Sequence, residues 1–157
     1  VTSANDPRSV GSQIDDNNIE LKAMVKLMKD EEISELANIS IVSYNGHVLV
    51  VGQAPNQSLI NKIEAQLKEI SNIEKIHNQI KIGPKASVSN KANDVWITTK
   101  VKSELLADDS IKGNSIKVVT ESKEVFLMGL VSPEQGNKAA TIASKVNGVQ
   151  RVIKVFQ

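Results

Sequence analysis

The chain has two histidines, His47 and His77, and no cysteine, so metal or nucleophilic chemistry would have to start from very few groups. His47 lies beside an Asn45-Gly46 turn signal, and His77 lies inside a run of strand-forming residues from Ile76 to Ile82. Neither has a second ligand at metal-binding spacing, and both read as surface or strand filler. The adjacent carboxylates Asp108-Asp109 and Glu31-Glu32 fall at ends of predicted helices, where solvation is expected rather than paired acid–base work. No serine sits in a nucleophile elbow, and no glycine-rich loop is present to cradle phosphate. The chain is therefore predicted to be no enzyme and to need neither cofactor nor metal.

One stretch concentrates residues of the binding type: NDVWITTKVKSELL, Asn93 to Leu106, which holds the only tryptophan. An N-cap at Asn93 or Asp94, followed by turns free of Gly and Pro, predicts a helix. At about 100° per residue, Ile97, Val101 and Leu105 form the stripe that such a helix buries against a sheet. Trp96 falls on the far side with Val95, Thr99, Ser103 and Leu106, and Lys100 and Lys102 flank that surface. An indole, aliphatic side chains and lysines facing outward predict a docking surface.

The elements that must present it come from a chain of 157 residues, 40% hydrophobic and 24% charged, which is globular composition. Aromatics make up only 3%, so a core of Val, Ile, Leu and Ala has little use for a tryptophan. A formal net charge of +1 provides no global field for nucleic acid, and any electrostatic partner must be met by a local patch. The chain starts at Val1 rather than Met, which predicts that it is trimmed and that any signal peptide or lipid-bearing residue lies upstream. No apolar run approaches the roughly 20 residues of a membrane-spanning helix, so membrane contact would be made from the surface.

Residues 1–15 are polar without apolar periodicity, which predicts a flexible leader or tether. A helix is predicted from Asp16 to Lys29 with Ile19, Ala23 and Leu27 on one face. Leu21, Met24, Val25 and Met28 make its other sides apolar too, and a second domain is expected to cover them. Strands from Ile39 to Ser43 and Val48 to Gly52 flank the Asn45-Gly46 hairpin signal; a helix from Gln57 to Ile70 and a strand from Ile76 to Ile82 follow. This completes an αββαβ domain over residues 16–83, and 84–92 reads as a linker. A shift of about 77 residues then overlays Asp16 on Asp94, Ile19 on Ile97, Leu27 on Leu105 and Gly52 on Gly129. Residues 93–157 form the second copy, with a helix from Asp94 to Ala107, strands near 115–120 and 125–130, a helix from Pro133 to Val146 and a last strand near 149–156. The predicted fold class is α+β: two tandem αββαβ domains, each a three-stranded mixed sheet packed against two helices. Where the copies differ, Asn17 and Asn18 become Val95 and Trp96, and Gln53 and Ala54 become Leu130 and Val131. The shared fold does not demand Trp96, and Leu130 and Val131 are expected to extend its surface.

The αββαβ unit with its Gly52 and Gly129 strand ends resembles the BON domain, and the tandem covers nearly the whole chain. The strings DPRSVGSQIDD (Asp6 to Asp16), VLVVGQ (Val48 to Gln53), NDVWITTKVKSELL and EVFLMGLV (Glu124 to Val131) are similar to the dual-BON outer-membrane lipoproteins of the division and outer membrane stress-associated lipid-binding family. The resemblance implies a periplasmic lipoprotein held at the inner leaflet of the outer membrane by an N-terminal lipid, supporting membrane integrity and gathering at division sites. It implies recognition of anionic phospholipid such as phosphatidylglycerol through the first helix of the second BON domain, with the membrane-inserting tryptophan at Trp96. Outer-membrane protein assembly components are implied as further partners. Two positions depart from the family pattern: the lipid-bearing cysteine is not in this sequence, and Lys102 stands where an arginine is expected, keeping charge but losing a bidentate phosphate donor. The element order is also similar to the KH RNA-binding module, but the nucleotide-clamping GxxG loop is missing and the aromatics are too few to stack bases. The alternative is an envelope adaptor that docks a protein partner on the Trp96 face.

Overall fold

The computed structural model describes residues 6–157, so the first five residues of the expected leader lie outside the described residues. The chain forms two compact units, one comprising Arg8–Ala86 and the other including Ser87–Gln157. In the first, α1 (Val10–Met28) is followed by a short α2 (Glu31–Leu36), the strands β1 (Asn38–Tyr44) and β2 (His47–Ala54), α3 (Gln57–Leu67) and β3 (Lys75–Ile82). In the second, α4 (Val88–Ala107) leads to β4 (Ile116–Glu121), β5 (Glu124–Gly129), α5 (Pro133–Ser144) and β6 (Arg151–Lys154). Each unit has a three-stranded sheet whose central strand, β2 or β5, pairs antiparallel with the strand before it and parallel with the one after. The α+β fold class with two mixed sheets is thus the one expected.

Helical periodicity sets each core. Ile19, Ala23 and Leu27 of α1 pack with Val48 and Val50 of β2 and with Leu59, Ile63 and Leu67 of α3. Ile97, Val101 and Leu105 of α4 pack with Val118, Val125 and Leu127 and with Ala139 and Ala143 of α5. Burial is not confined to the helix-facing sides: Leu49, Val51, Phe126 and Met128 point to the other faces of their sheets and are also buried. Gly52, two residues before the end of β2, and Gly129, the last residue of β5, have φ +131 and +156, and a Cβ there would lie 1.8 Å from the Asn38 carbonyl oxygen and 2.4 Å from that of Ser115. Only glycine lets the neighbouring strand approach so closely.

Two expectations are corrected. Residues 10–15 are helical rather than an extended leader: α1 starts at an N-cap, Ser9, whose hydroxyl accepts from the Ser12 N–H. Residues 88–92 of the expected linker likewise belong to α4, capped by Ser87 accepting from Asn90. Polar anchoring, which leaves no apolar period in the sequence, orders these first turns. Arg8 binds Asp16 at 2.9 Å and stacks over the Tyr44 ring, and Ser12 donates to Asn45 at 2.8 Å. Within its own domain α1 leaves Leu21, Met24, Val25 and Met28 exposed, with Leu21 at 64% and Met28 at 67%.

Candidate functional site

The rotation of α4 about its axis decides which side chains it presents, and Asp94 sets that rotation. It is not the N-cap read from the sequence but is 5% exposed six residues further in, where its carboxylate accepts the N–H groups of Ser122 (2.8 Å) and Lys123 (2.9 Å). Both of those residues have positive φ in the β4–β5 turn. Asp16 holds the β1–β2 turn in the same way, accepting from Asn45 and Gly46, and adds the Ser43 hydroxyl at 2.8 Å. A further clamp joins the Thr98 and Thr120 hydroxyls at 2.7 Å. With Asp94, Ile97, Val101 and Leu105 turned inward, Trp96, about 200° around the helix from Asp94, must face out.

Trp96 is 52% exposed, Val95 67% and Leu106 64%, and Thr99, Lys100, Lys102 and Ser103 are exposed with them. Thr99 donates its hydroxyl to the Val95 carbonyl and Ser103 to that of Thr99, both at 3.0 Å, so neither hydroxyl proton needs a solvent partner. That makes the face more apolar than its composition implies. Lys100 lies 3.5 Å from Glu104 in an i,i+4 pair that is open to solvent.

Beside Trp96 runs a groove of about 340 Å³ between α4 and the end of α5, lined by Trp96, Lys100, Glu104, Ile142, Lys145, Val146 and Asn147. The α5 members were not anticipated, because nothing in the local pattern of residues 142–147 announces which helix they will meet. Leu130 and Val131, expected to extend the surface, stand at the opposite end of the sheet from the Asp94-held turn. These residues follow Gly129, which pairs with Ile116 at the end of the sheet away from the turn that Asp94 holds, about 17 Å along the strand. Val131 packs against the core, and only Leu130 is exposed.

The histidines, read as isolated, meet. Parallel pairing of β2 and β3 sets Leu49 opposite His77 and His47 opposite Lys75, which brings His47 Nδ1 to 3.1 Å from His77 Nε2. One ring donates and the other accepts, so the contact tolerates at most one extra proton. Desolvation, then the His47 and Lys75 charges, hold the His77 pKa below its usual value. Among the described residues no group of three or more His, Cys, Asp or Glu converges as a metal site would require. Asp108 is held below the usual carboxylate range by the hydroxyl and then the N–H of Ser110, and Glu31 and Glu32 occupy the first turn of α2. None of the described helices is long and apolar enough to cross a membrane.

Two copies of one small α+β unit, each pinned by a buried aspartate to its own hairpin turn, place the chain in a family: residues 15–84 and 93–157 each match the BON domain, and the chain belongs to that family. It is 42% identical to "Outer membrane lipoprotein DolP" of Haemophilus influenzae, over 98% of this chain and 80% of that protein. It is 43% identical to the "21 kDa hemolysin" of Actinobacillus pleuropneumoniae, over 96% of this chain and 78% of that one. "Osmotically-inducible protein Y" of Escherichia coli is 31% identical, over 91% and 72%.

Proposed function

We propose that the chain is a non-enzymatic phospholipid-binding protein of the outer membrane's periplasmic side, and that the outer face of α4 is its lipid contact. The exposure of Trp96 carries this reading: the core of the second domain is complete without it, yet the largest apolar side chain in the protein stands 52% in solvent. Val95 and Leu106 extend the apolar surface, the hydroxyls of Thr99 and Ser103 are already bonded, and Lys100 and Lys102 favour an anionic headgroup region. Leu130 and Val131, after Gly129 at the end of the sheet, are the expected extension of this surface. The similarity to outer membrane lipoprotein DolP and to an osmotically inducible protein supports an envelope role, and the proposal includes membrane integrity, attachment through an N-terminal lipid and enrichment at division sites.

Because Trp96 is the only tryptophan, its fluorescence reports the contact directly. Vesicles of phosphatidylcholine with phosphatidylglycerol are expected to shift its emission to the blue and to sediment with the chain, and pure phosphatidylcholine vesicles to do neither. Equal binding to both vesicle types would reject anionic recognition. Unchanged binding of Trp96→Ala would reject the site, and a protein captured on this face without any lipid response would favour the adaptor reading.

A further inference from the structure

We propose that the His47–His77 pair is a chelating site for a divalent transition-metal ion of the imidazole-preferring kind, Cu²⁺ ahead of Zn²⁺, in which His47 Nδ1 and His77 Nε2 are the protein ligands and water fills the remaining positions. Both ligands belong to the first domain, so the assignment does not rest on the lipid reading of α4.

The sheet fixes the spacing of the two rings. Val48, Val50 and Ile76 face the helices, so by alternation His47 on β2 and His77 on β3 project from the opposite side, on a parallel ladder that pairs His47 with Lys75 and Leu49 with His77. Across that diagonal the nitrogens stand 3.1 Å apart, with ring centroids at 5.4 Å. Two nitrogens each about 2.0–2.1 Å from one ion subtend, at that separation, an angle of about 100°, between the square-planar and tetrahedral values. A tilt of each ring about its own side-chain bonds aims both lone pairs at one point without a change of strand register. The contact already present uses a hydrogen on one of the facing nitrogens. When the ion enters, that ring takes its other tautomer, with the hydrogen on the outer nitrogen, so two neutral imidazoles bind without net proton release. Desolvation, with the charges of His47 and Lys75, holds the His77 pKa low and keeps its lone pair free of a competing proton near neutral pH. Among the described residues no third His, Cys, Asp or Glu joins the pair, which excludes a closed structural site. Both side chains are half-buried rather than sealed, so solvent completes the coordination sphere and the ion exchanges with solution. The exposed Lys75 ammonium, close enough to depress His77, also repels an incoming dication and limits affinity.

The test uses the full chain, whose only imidazoles are these two and which has no thiol, so histidine ring resonances report the site alone. Zn²⁺ added to about one equivalent near neutral pH is expected to shift the ring signals of both histidines together, and Mg²⁺ to shift neither. Cu²⁺ should bind more tightly than Zn²⁺ and broaden the amides of β2 near His47 and of β3 near His77. His47→Gln and His77→Gln should each weaken Zn²⁺ binding by about tenfold or more, because the remaining imidazole has lost its intramolecular partner. Lys75→Gln alters an exposed side chain and no ligand. It should tighten Zn²⁺ binding about twofold to threefold by removing a like charge. Should a histidine variant fail to fold, the paired ring shifts and the Lys75→Gln gain still decide. The chelate is overturned if only one ring responds, if a folded single variant binds Zn²⁺ as the native chain does, or if Lys75→Gln gives no gain. Cu²⁺ broadening confined to residues beside the chain's terminal amine would overturn it too, as would a doubled sedimenting mass showing that Zn²⁺ joins two chains through one histidine each.

Discussion

At the scale of single residues, two buried aspartates do most of the positioning. Asp16 is 1% exposed and joins four partners, the N–H groups of Asn45 and Gly46, the Ser43 hydroxyl and the Arg8 guanidinium. Asp16→Ala leaves these groups buried or half-buried without their acceptor and is expected to cost the first domain about 3 kcal/mol. Asp94→Ala removes two backbone bonds, with an expected loss of about 2 kcal/mol in the second domain. Denaturant titrations followed by amide resonances of each domain would measure both. His77 carries a pH dependence whose sign is determined by its depressed pKa. Near pH 6.5 and below, the unfolded chain takes up a proton that the folded domain accepts only at lower pH. The contribution is therefore fully present above about pH 6.5 and is lost as the pH falls through the folded value. Amide protection factors in β2 and β3, taken against the intrinsic exchange rate at each pH, should fall between pH 7.5 and 5.5, and His77→Gln should remove the part of that change assigned to this pair.

At the scale of elements, each sheet depends on a glycine at or near the C-terminal end of its central strand. Gly52→Ala places a Cβ 1.8 Å from the Asn38 carbonyl at a φ of +131, so β1 must leave its register or the backbone must refold locally. The expected loss is above about 4 kcal/mol, in the range reserved for severe backbone and packing faults. Gly129→Ala meets the Ser115 carbonyl at 2.4 Å and should be somewhat milder. Thermal melts of the two variants test the order. The first helices of the two domains use equivalent inward stripes but different outward ones. α1 exposes Leu21, Val25 and Met28, while α4 exposes Val95, Trp96 and Leu106 with lysines among them. The same fold thus carries two distinct surfaces.

At the scale of the whole molecule, the size of the proposed membrane contact makes it a weak one. Burying most of the indole contributes about 1.5–3 kcal/mol, and each nearby lysine about 1 kcal/mol, less for Lys100 because Glu104 shares its charge. Their sum, on the order of 3–5 kcal/mol before ordering costs, corresponds to a dissociation constant near the millimolar scale. With a net charge of only +1, no long-range field adds to it. The chain without acyl modification is therefore expected to bind phosphatidylglycerol vesicles weakly and to leave them in about 1 M salt, where screening reaches about 3 Å. An acylated Trp96→Ala form should stay on the membrane but lose its preference for anionic regions, since stable attachment takes a second signal. Sedimentation across salt concentrations distinguishes this from a contact driven by apolar insertion alone.

Whatever repeats along the chain was legible in the sequence. The inward stripes Ile19-Ala23-Leu27 and Ile97-Val101-Leu105, the Asn45-Gly46 hairpin, the doubled αββαβ order and the outward direction of Trp96 all follow from local periods and turn chemistry. Tertiary structure alone decided that Asp16 and Asp94 hold distant turns, Asp94 instead of capping its helix, that His47 meets His77, that Leu130 and Val131 lie at the far end of the sheet from the Asp94-held turn, and that Lys145 and Asn147 stand beside Trp96. Each of these contacts joins residues more than twenty positions apart, or depends on which end of a sheet a segment reaches. Apolar periodicity specifies which face of an element is buried; it carries no information about which polar side chains the neighbouring elements bring to that element's ends.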